Sequence, residues 1–187
     1  MLVLLTLIGM SASTTSEIEM LISGNERVYK QNFYRAEGAA MDAVQRICAE
    51  VPDMLVGVGT ILTPDQAIQV KATGADFGVS PGMNPRIVRA AQEAGLPFAP
   101  GICTPSDLEG AIELGCRFVK FFPAEASGGV RYLRSLAAPY RHLGIRYFPL
   151  GGLNSDNMLD YLQEEIIPCI GGSWIVKQDL VAKEDWD

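Results

Sequence analysis

At position 120 a lysine interrupts the apolar run Phe118-Val119-Lys120-Phe121-Phe122-Pro123-Ala124-Glu125. An ammonium held among apolar neighbours is costly. Desolvation favours the neutral amine and lowers its pKa, and a neutral amine attacks a ketone to form an imine. The chemistry on offer is covalent catalysis through a Schiff base. The same lysine also fits a strand end whose ammonium reaches solvent or pairs with a carboxylate. Downstream, Gly151-Gly152 follows Phe148-Pro149-Leu150, and Gly171-Gly172-Ser173 follows Pro168-Cys169-Ile170. Glycine lets a backbone approach a ligand closely, and free amides at a helix start bind anions; such glycines also serve plain turns. Two further apolar runs close with Gly57-Val58-Gly59-Thr60 and Ser80-Pro81-Gly82. They offer a hydroxyl and free amides that would hold a carboxylate, or they are turn punctuation.

These residues need elements to position them. From Met54 onward, short apolar runs alternate with amphipathic stretches of about a dozen residues, which is the pattern of βα repetition. Strands are expected at 54–60, 75–81, 96–103, 117–124, 145–152 and 166–173. They are apolar nearly throughout, as expected for parallel strands covered on both faces. Thr63-Pro64-Asp65 and Thr104-Pro105-Ser106 read as helix starts, with a hydroxyl N-cap and proline at the first helical position. Gly74, Gly95, Gly115 and Gly144 each stand where a helix should end and a strand follow. Before Met54 a matching series is drawn less clearly: strand 2–9, helix 14–23 ending at Gly24, strand 27–34 and helix 37–49. Eight βα units in one domain, 1–187, imply a closed (β/α)8 TIM barrel with its active site at the C-terminal ends of the strands. A doubly wound open sheet has the same periodicity and stays open as an alternative.

The chain has 187 residues, of which 48% are hydrophobic, enough to bury a substantial core. Its net charge of −7 argues against nucleic-acid or anionic-membrane partners. Cys48, Cys103, Cys116 and Cys169 are scattered and there is one histidine, His142. Neither a metal site nor a disulfide framework is indicated, and the cysteines are expected to be reduced core residues of a cytoplasmic protein. Residues 1–13 end in small residues like a secretory signal, but lack a basic start and are too short to span a bilayer. A first barrel strand is the preferred reading.

Taken together, GVGT, SPG, PFAPGICTPSDL, KFFPAEASGG, PLGG and IGGSW resemble, in order and spacing, the 2-keto-3-deoxy-6-phosphogluconate (KDPG) and 2-keto-4-hydroxyglutarate (KHG) aldolases. The resemblance covers about Ala39 to Trp174. It implies a class I aldolase of the TIM-barrel type, a homotrimer without a cofactor or metal, acting on a small phosphorylated 2-keto acid. Lys120 would then be the Schiff-base lysine and Phe122 would line the pocket. Thr60 and Pro81 would lie at the keto-acid end, and Gly151, Gly152, Gly172 and Ser173 would bind the phosphate.

Three departures go with the resemblance. The family carries its general base as a glutamate in the second strand, in a segment like LEVTLRT, whose arginine binds the substrate carboxylate. Arg35 matches that arginine, but the base position falls on Gln31 or Lys30, neither of which is a carboxylate. Glu125 is the candidate substitute, set against a capping or solvated role. Pro149-Leu150-Gly151-Gly152 stands where PTGG is usual, removing a hydroxyl near the reacting carbons. The N-terminal strands look divergent, and the final helix, after Lys177, looks shortened. The expected activity is KDPG cleavage to pyruvate and glyceraldehyde 3-phosphate; the alternative is an impaired barrel that binds sugar phosphates or keto acids.

Overall fold

The computed structural model describes residues 38–175. The strands expected at 2–9 and 27–34, the helix at 14–23, the final helix after Lys177, and Arg35 lie outside the described residues. The chain divides into two compact units, residues 1–43 and 44–187. The second holds every strand named below.

Helix α1 covers 38–50 of the described residues, where the sequence implies a helix at 37–49. Then follow β1 (Gly57–Val58), α2 (Pro64–Ala72), β2 (Phe77–Val79), α3 (Pro85–Glu93), β3 (Phe98–Ala99), β4 (Gly101–Ile102) and α4 (Pro105–Glu113). The chain continues through β5 (Phe118–Phe121), α5 (Gly129–Ala137), a 3-10 helix (Ala138–Leu143), β6 (Arg146–Pro149), α6 (Met158–Leu162) and a short 3-10 helix (Ser173–Ile175).

Local chemistry sets these boundaries. Thr63 accepts from the Gln66 amide while the Gln66 side chain accepts from the Thr63 amide, and Pro64 opens α2. Thr104 and Asp107 repeat this capping box ahead of Pro105. Asn84 caps α3 in front of Pro85, a third case that the sequence reading passed over. At the other ends the backbone turns left-handed at Gly74, Gly95, Gly115 and Gly144, as expected.

All strand pairs are parallel, and within each sheet every strand pairs with the next in sequence: β1-β2-β3 in one sheet and β4-β5-β6 in a second. The run expected as one strand at 96–103 is divided at Pro100, which has no amide to donate. Its carbonyl still accepts from the Lys120 amide at 2.9 Å, so 98–102 borders both sheets. The last expected strand, 166–173, is reduced to a single parallel bridge between Leu150 and Gly171.

Residues alternate between faces along a strand. Val119 and Phe121 of β5 and Tyr147 of β6 therefore point the same way, into a core shared with Leu108 and Ala111 of α4 and Leu133 and Leu136 of α5. Val119, Phe121 and Leu133 are fully enclosed, and each such side chain contributes about 1.5–3 kcal/mol relative to exposure. The opposite face of β5 carries Phe118 and Lys120.

The cysteines correct the sequence reading. Cys116 is buried, and burial pushes its thiol up, but Cys48 and Cys103 are half-buried and Cys169 is exposed. Cys169 falls in the stretch reduced to a single bridge, where partial burial still pushes its thiol up.

Candidate active site

Lys120 is the third of four residues in β5, near its C-terminal end. Its register partners are Gly101 on β4 and Phe148 on β6. The side chain is 6% exposed. Its Nζ lies over the Phe122 ring, 4.6 Å from the centroid. No ion pair or hydrogen bond engages it among the described residues. Burial alone holds the amine below the ordinary 10.5, so the lysine does not reach solvent freely and pairs with no carboxylate among the described residues. It has the environment of a nucleophilic amine.

The neighbours on this face are shaped around it. A Cβ at Gly101 would strike the Pro81 carbonyl, which brings Pro81 onto the same face as the lysine, one strand away. Ser80, buried at the end of β2, donates from its hydroxyl to the Gly82 carbonyl at 2.8 Å and so pins the Ser80-Pro81-Gly82 turn. Thr60, two residues past β1, has φ +60, the positive-φ non-glycine residue of the described chain. A β-branched residue in that region is strained.

Beyond the lysine, Phe122 precedes Pro123 through a cis peptide bond. The ladder between β5 and β6 continues past both strands: Ala124 N donates to Leu150 O at 2.8 Å and Glu125 N to Gly151 O at 3.0 Å. Gly151 and Gly152 have φ +96 and +85, a conformation side chains resist. A Cβ at Gly151 would lie 3.1 Å from the Phe122 ring, so one ring borders both Lys120 and the first glycine pair. Gly171 spends its amide on Pro149 O at 3.1 Å, leaving Gly172 and Ser173 to open the short 3-10 helix.

Lys120, Pro81, Phe122 and Gly151 are thus brought together by register and contact. Thr60, Gly152, Gly172 and Ser173 follow strand or bridge ends of the same polarity. Arg35 is outside the described residues, as are Lys30 and Gln31. Glu125 is engaged: its Oε1 accepts a hydrogen bond from the Tyr161 hydroxyl. Tyr161, on α6, is 1% exposed, and burial followed by this bond pushes its phenol well above its ordinary value. The sequence reading missed Tyr161, because a contact 36 residues away carries no local signal. It also missed Trp174, whose indole N–H is buried beside Gly172 with no partner among the described residues.

His142 is exposed on the 3-10 helix that leads into β6, the end opposite Lys120, in keeping with a structural or surface role. That end also holds a cleft of about 380 Å³, bordered by Arg141, Arg146, Glu164 and Glu165. Among the described residues no cluster of three or more His, Cys, Asp or Glu side chains is placed to hold a metal. None of their helices is long and apolar enough to cross a membrane.

Known proteins resemble this chain over most of its length. A 2-dehydro-3-deoxy-phosphogluconate aldolase of Haemophilus influenzae is 45% identical over 154 residues, covering 82% of this chain and 71% of that protein. Among solved structures, a KDPG aldolase of Legionella pneumophila, with pyruvate captured as a covalent carbinolamine, superposes with a TM-score of 0.74 at 35% identity, covering 79% of this chain and 70% of that one. The Zymomonas mobilis KDPG aldolase with 3-phosphoglycerate gives 0.70 at 35% identity, over 74% of this chain and 65% of the other. These neighbours carry the class I aldolase fold, an α/β architecture with parallel strands, as observed here. The family model for KDPG and KHG aldolase matches residues 4–187. Because that match runs past both ends of the segment whose motifs carry the resemblance, the chain belongs to the KDPG and KHG aldolase family.

Proposed function

We propose that this protein is a class I aldolase that cleaves KDPG to pyruvate and glyceraldehyde 3-phosphate, with Lys120 as the nucleophile. The observation that carries the reading is the buried Lys120 amine near the end of a parallel strand, without an ion pair among the described residues and held below 10.5 by desolvation. The Nζ adds to the C2 carbonyl to give a carbinolamine, which loses water to an imine. A water-borne base takes the C4 hydroxyl proton as the C3–C4 bond breaks, and the electron pair passes through C3 to the iminium nitrogen, giving an enamine and releasing glyceraldehyde 3-phosphate. Protonation at C3 and hydrolysis release pyruvate and regenerate the amine. The Tyr161 hydroxyl engages Oε1 of Glu125, the carboxylate considered as a substitute base.

Pro81 and Thr60 border the keto-acid end, Phe122 walls the pocket, and Gly151, Gly152, Gly172 and Ser173 take the phosphate. The resemblance adds Arg35 for the carboxylate. Sequential parallel pairing supports a single (β/α)8 barrel over residues 1–187, because a doubly wound sheet reverses its strand order at a switch point and the described strands do not. The family resemblance further supports a cytoplasmic homotrimer. The test is a cleavage assay with KDPG and its galactonate-derived isomer. Pyruvate and glyceraldehyde 3-phosphate should appear in equal amounts from wild-type protein, and Lys120→Met should release neither. Folded wild-type protein without turnover would leave an impaired barrel that only binds these compounds.

A further inference from the structure

Glu125 is an awkward neighbour for a phosphate site. Its backbone amide is bonded to Gly151, and a Cβ at Gly152 would sit 2.6 Å from its Cβ and 2.8 Å from its Cγ. Its stem therefore lies directly on the glycine pair, and a carboxylate there repels an anion. The head of the side chain is turned elsewhere. A Cβ at Gly129, where α5 begins, would lie 3.3 Å from Glu125 Oε1 and 3.5 Å from the Tyr161 hydroxyl. Tyr161 is enclosed, so its hydroxyl is fixed in place and donates to that oxygen.

We propose that Tyr161 is a positioning residue: by holding the Glu125 carboxylate toward Gly129, it keeps negative charge off Gly151-Gly152 and so sets the affinity of that loop for a phosphoryl group. The proposal rests on the assignment of phosphate to this glycine pair. Pyruvate carries no phosphate, so imine formation at Lys120 with pyruvate does not depend on the bond.

The experiment uses 3-phosphoglycerate as probe, titrated calorimetrically into the wild-type protein, Tyr161→Phe, Glu125→Gln and the double variant, with pyruvate trapping by borohydride measured on each. Tyr161→Phe removes one oxygen and frees the carboxylate. It should weaken 3-phosphoglycerate binding about five- to tenfold, the effect of one negative charge several ångströms from a phosphate near a protein surface, and leave pyruvate trapping unchanged. Glu125→Gln keeps an acceptor for the phenol and should bind at least as tightly as wild type. The double variant has no charge to release and should return to within about twofold of wild type.

Wild-type affinity in Tyr161→Phe, or a double variant as weak as Tyr161→Phe, would overturn the proposal, as would parallel loss of binding and trapping. Should Tyr161→Phe not fold, Glu125→Gln decides: a tenfold loss there contradicts the role. If the variants follow the expected pattern but wild-type protein traps no pyruvate, the aldolase reading falls and this one stands. If wild-type protein binds no 3-phosphoglycerate, the glycine-pair assignment falls and takes this proposal with it.

Discussion

Gly101 lies in register beside Lys120 on the adjacent parallel strand, and the space its side chain would fill is taken by the carbonyl of Pro81. The missing side chain lets a turn from a third strand close over the face that carries the lysine. Gly101→Ala should therefore cost about 1–3 kcal/mol, the usual penalty for overpacking a fitted interior. It should also raise the KM for pyruvate exchange, because Pro81 must withdraw. Thermal melting together with exchange kinetics checks both; a normal melt with normal KM would show that the turn moves freely.

Lys120 makes stability depend on pH in a defined sense. Its folded-state pKa is lowered from 10.5 by burial, so between the two values the unfolded chain binds the extra proton. Stability then rises with pH through that window, and below it the folded state carries the full cost of a buried ammonium. Replacing a buried, unpaired charge with an apolar side chain of similar length should hold or raise stability, by about 1 kcal/mol at neutral pH. The advantage of Lys120→Met over wild type should shrink as pH climbs toward 10.5. Denaturant unfolding at neutral and alkaline pH measures the difference, and a constant gap would contradict it.

Thr60 holds a left-handed backbone that threonine disfavours, with φ +60. Thr60→Gly relieves that strain and should stabilise the fold by about 1 kcal/mol. If the hydroxyl contacts the keto acid, the same substitution should weaken pyruvate binding several-fold. Opposite signs for stability and affinity are the expected signature. A gain in both would remove Thr60 from the site.

The helix punctuation was legible because capping is local. Thr63, Thr104 and the glycines at 74, 95, 115 and 144 act through groups within a few residues, so residue type and spacing suffice. Lys120 was legible for a related reason, since a charge in an apolar run must be either paired or desolvated. The strand at 96–103 was legible as a run, but its division at Pro100 depends on which neighbour each half meets. The reduction of 166–173 to one bridge has no counterpart in its composition, which is as apolar as that of β6. Glu125 remained ambiguous because its partner Tyr161 arrives from α6, after three intervening elements.

The cap on α4 supplies an independent check on stability. Asp107 accepts from the amides of Cys103 and Thr104 and from the Thr104 hydroxyl. Burial pushes its carboxyl up, but these three bonds together outweigh it and hold the pKa below 3.8. Thr104→Ala should cost about 1 kcal/mol at neutral pH. A carboxylate with a depressed folded pKa contributes stability above its unfolded value and loses it as pH falls through the folded one. The cost should therefore narrow below pH 3.8, as read from urea midpoints. A cost independent of pH would mean that Asp107 takes no part.

The claim on which the rest depends is that Lys120 forms an imine. The direct measurement is to incubate the folded protein with pyruvate and sodium borohydride, weigh the intact chain and map the modified peptide. A single reduced pyruvyl group on Lys120, absent from Lys120→Met, is the predicted result. Unmodified protein, or modification at another lysine with Lys120 intact, would contradict the account.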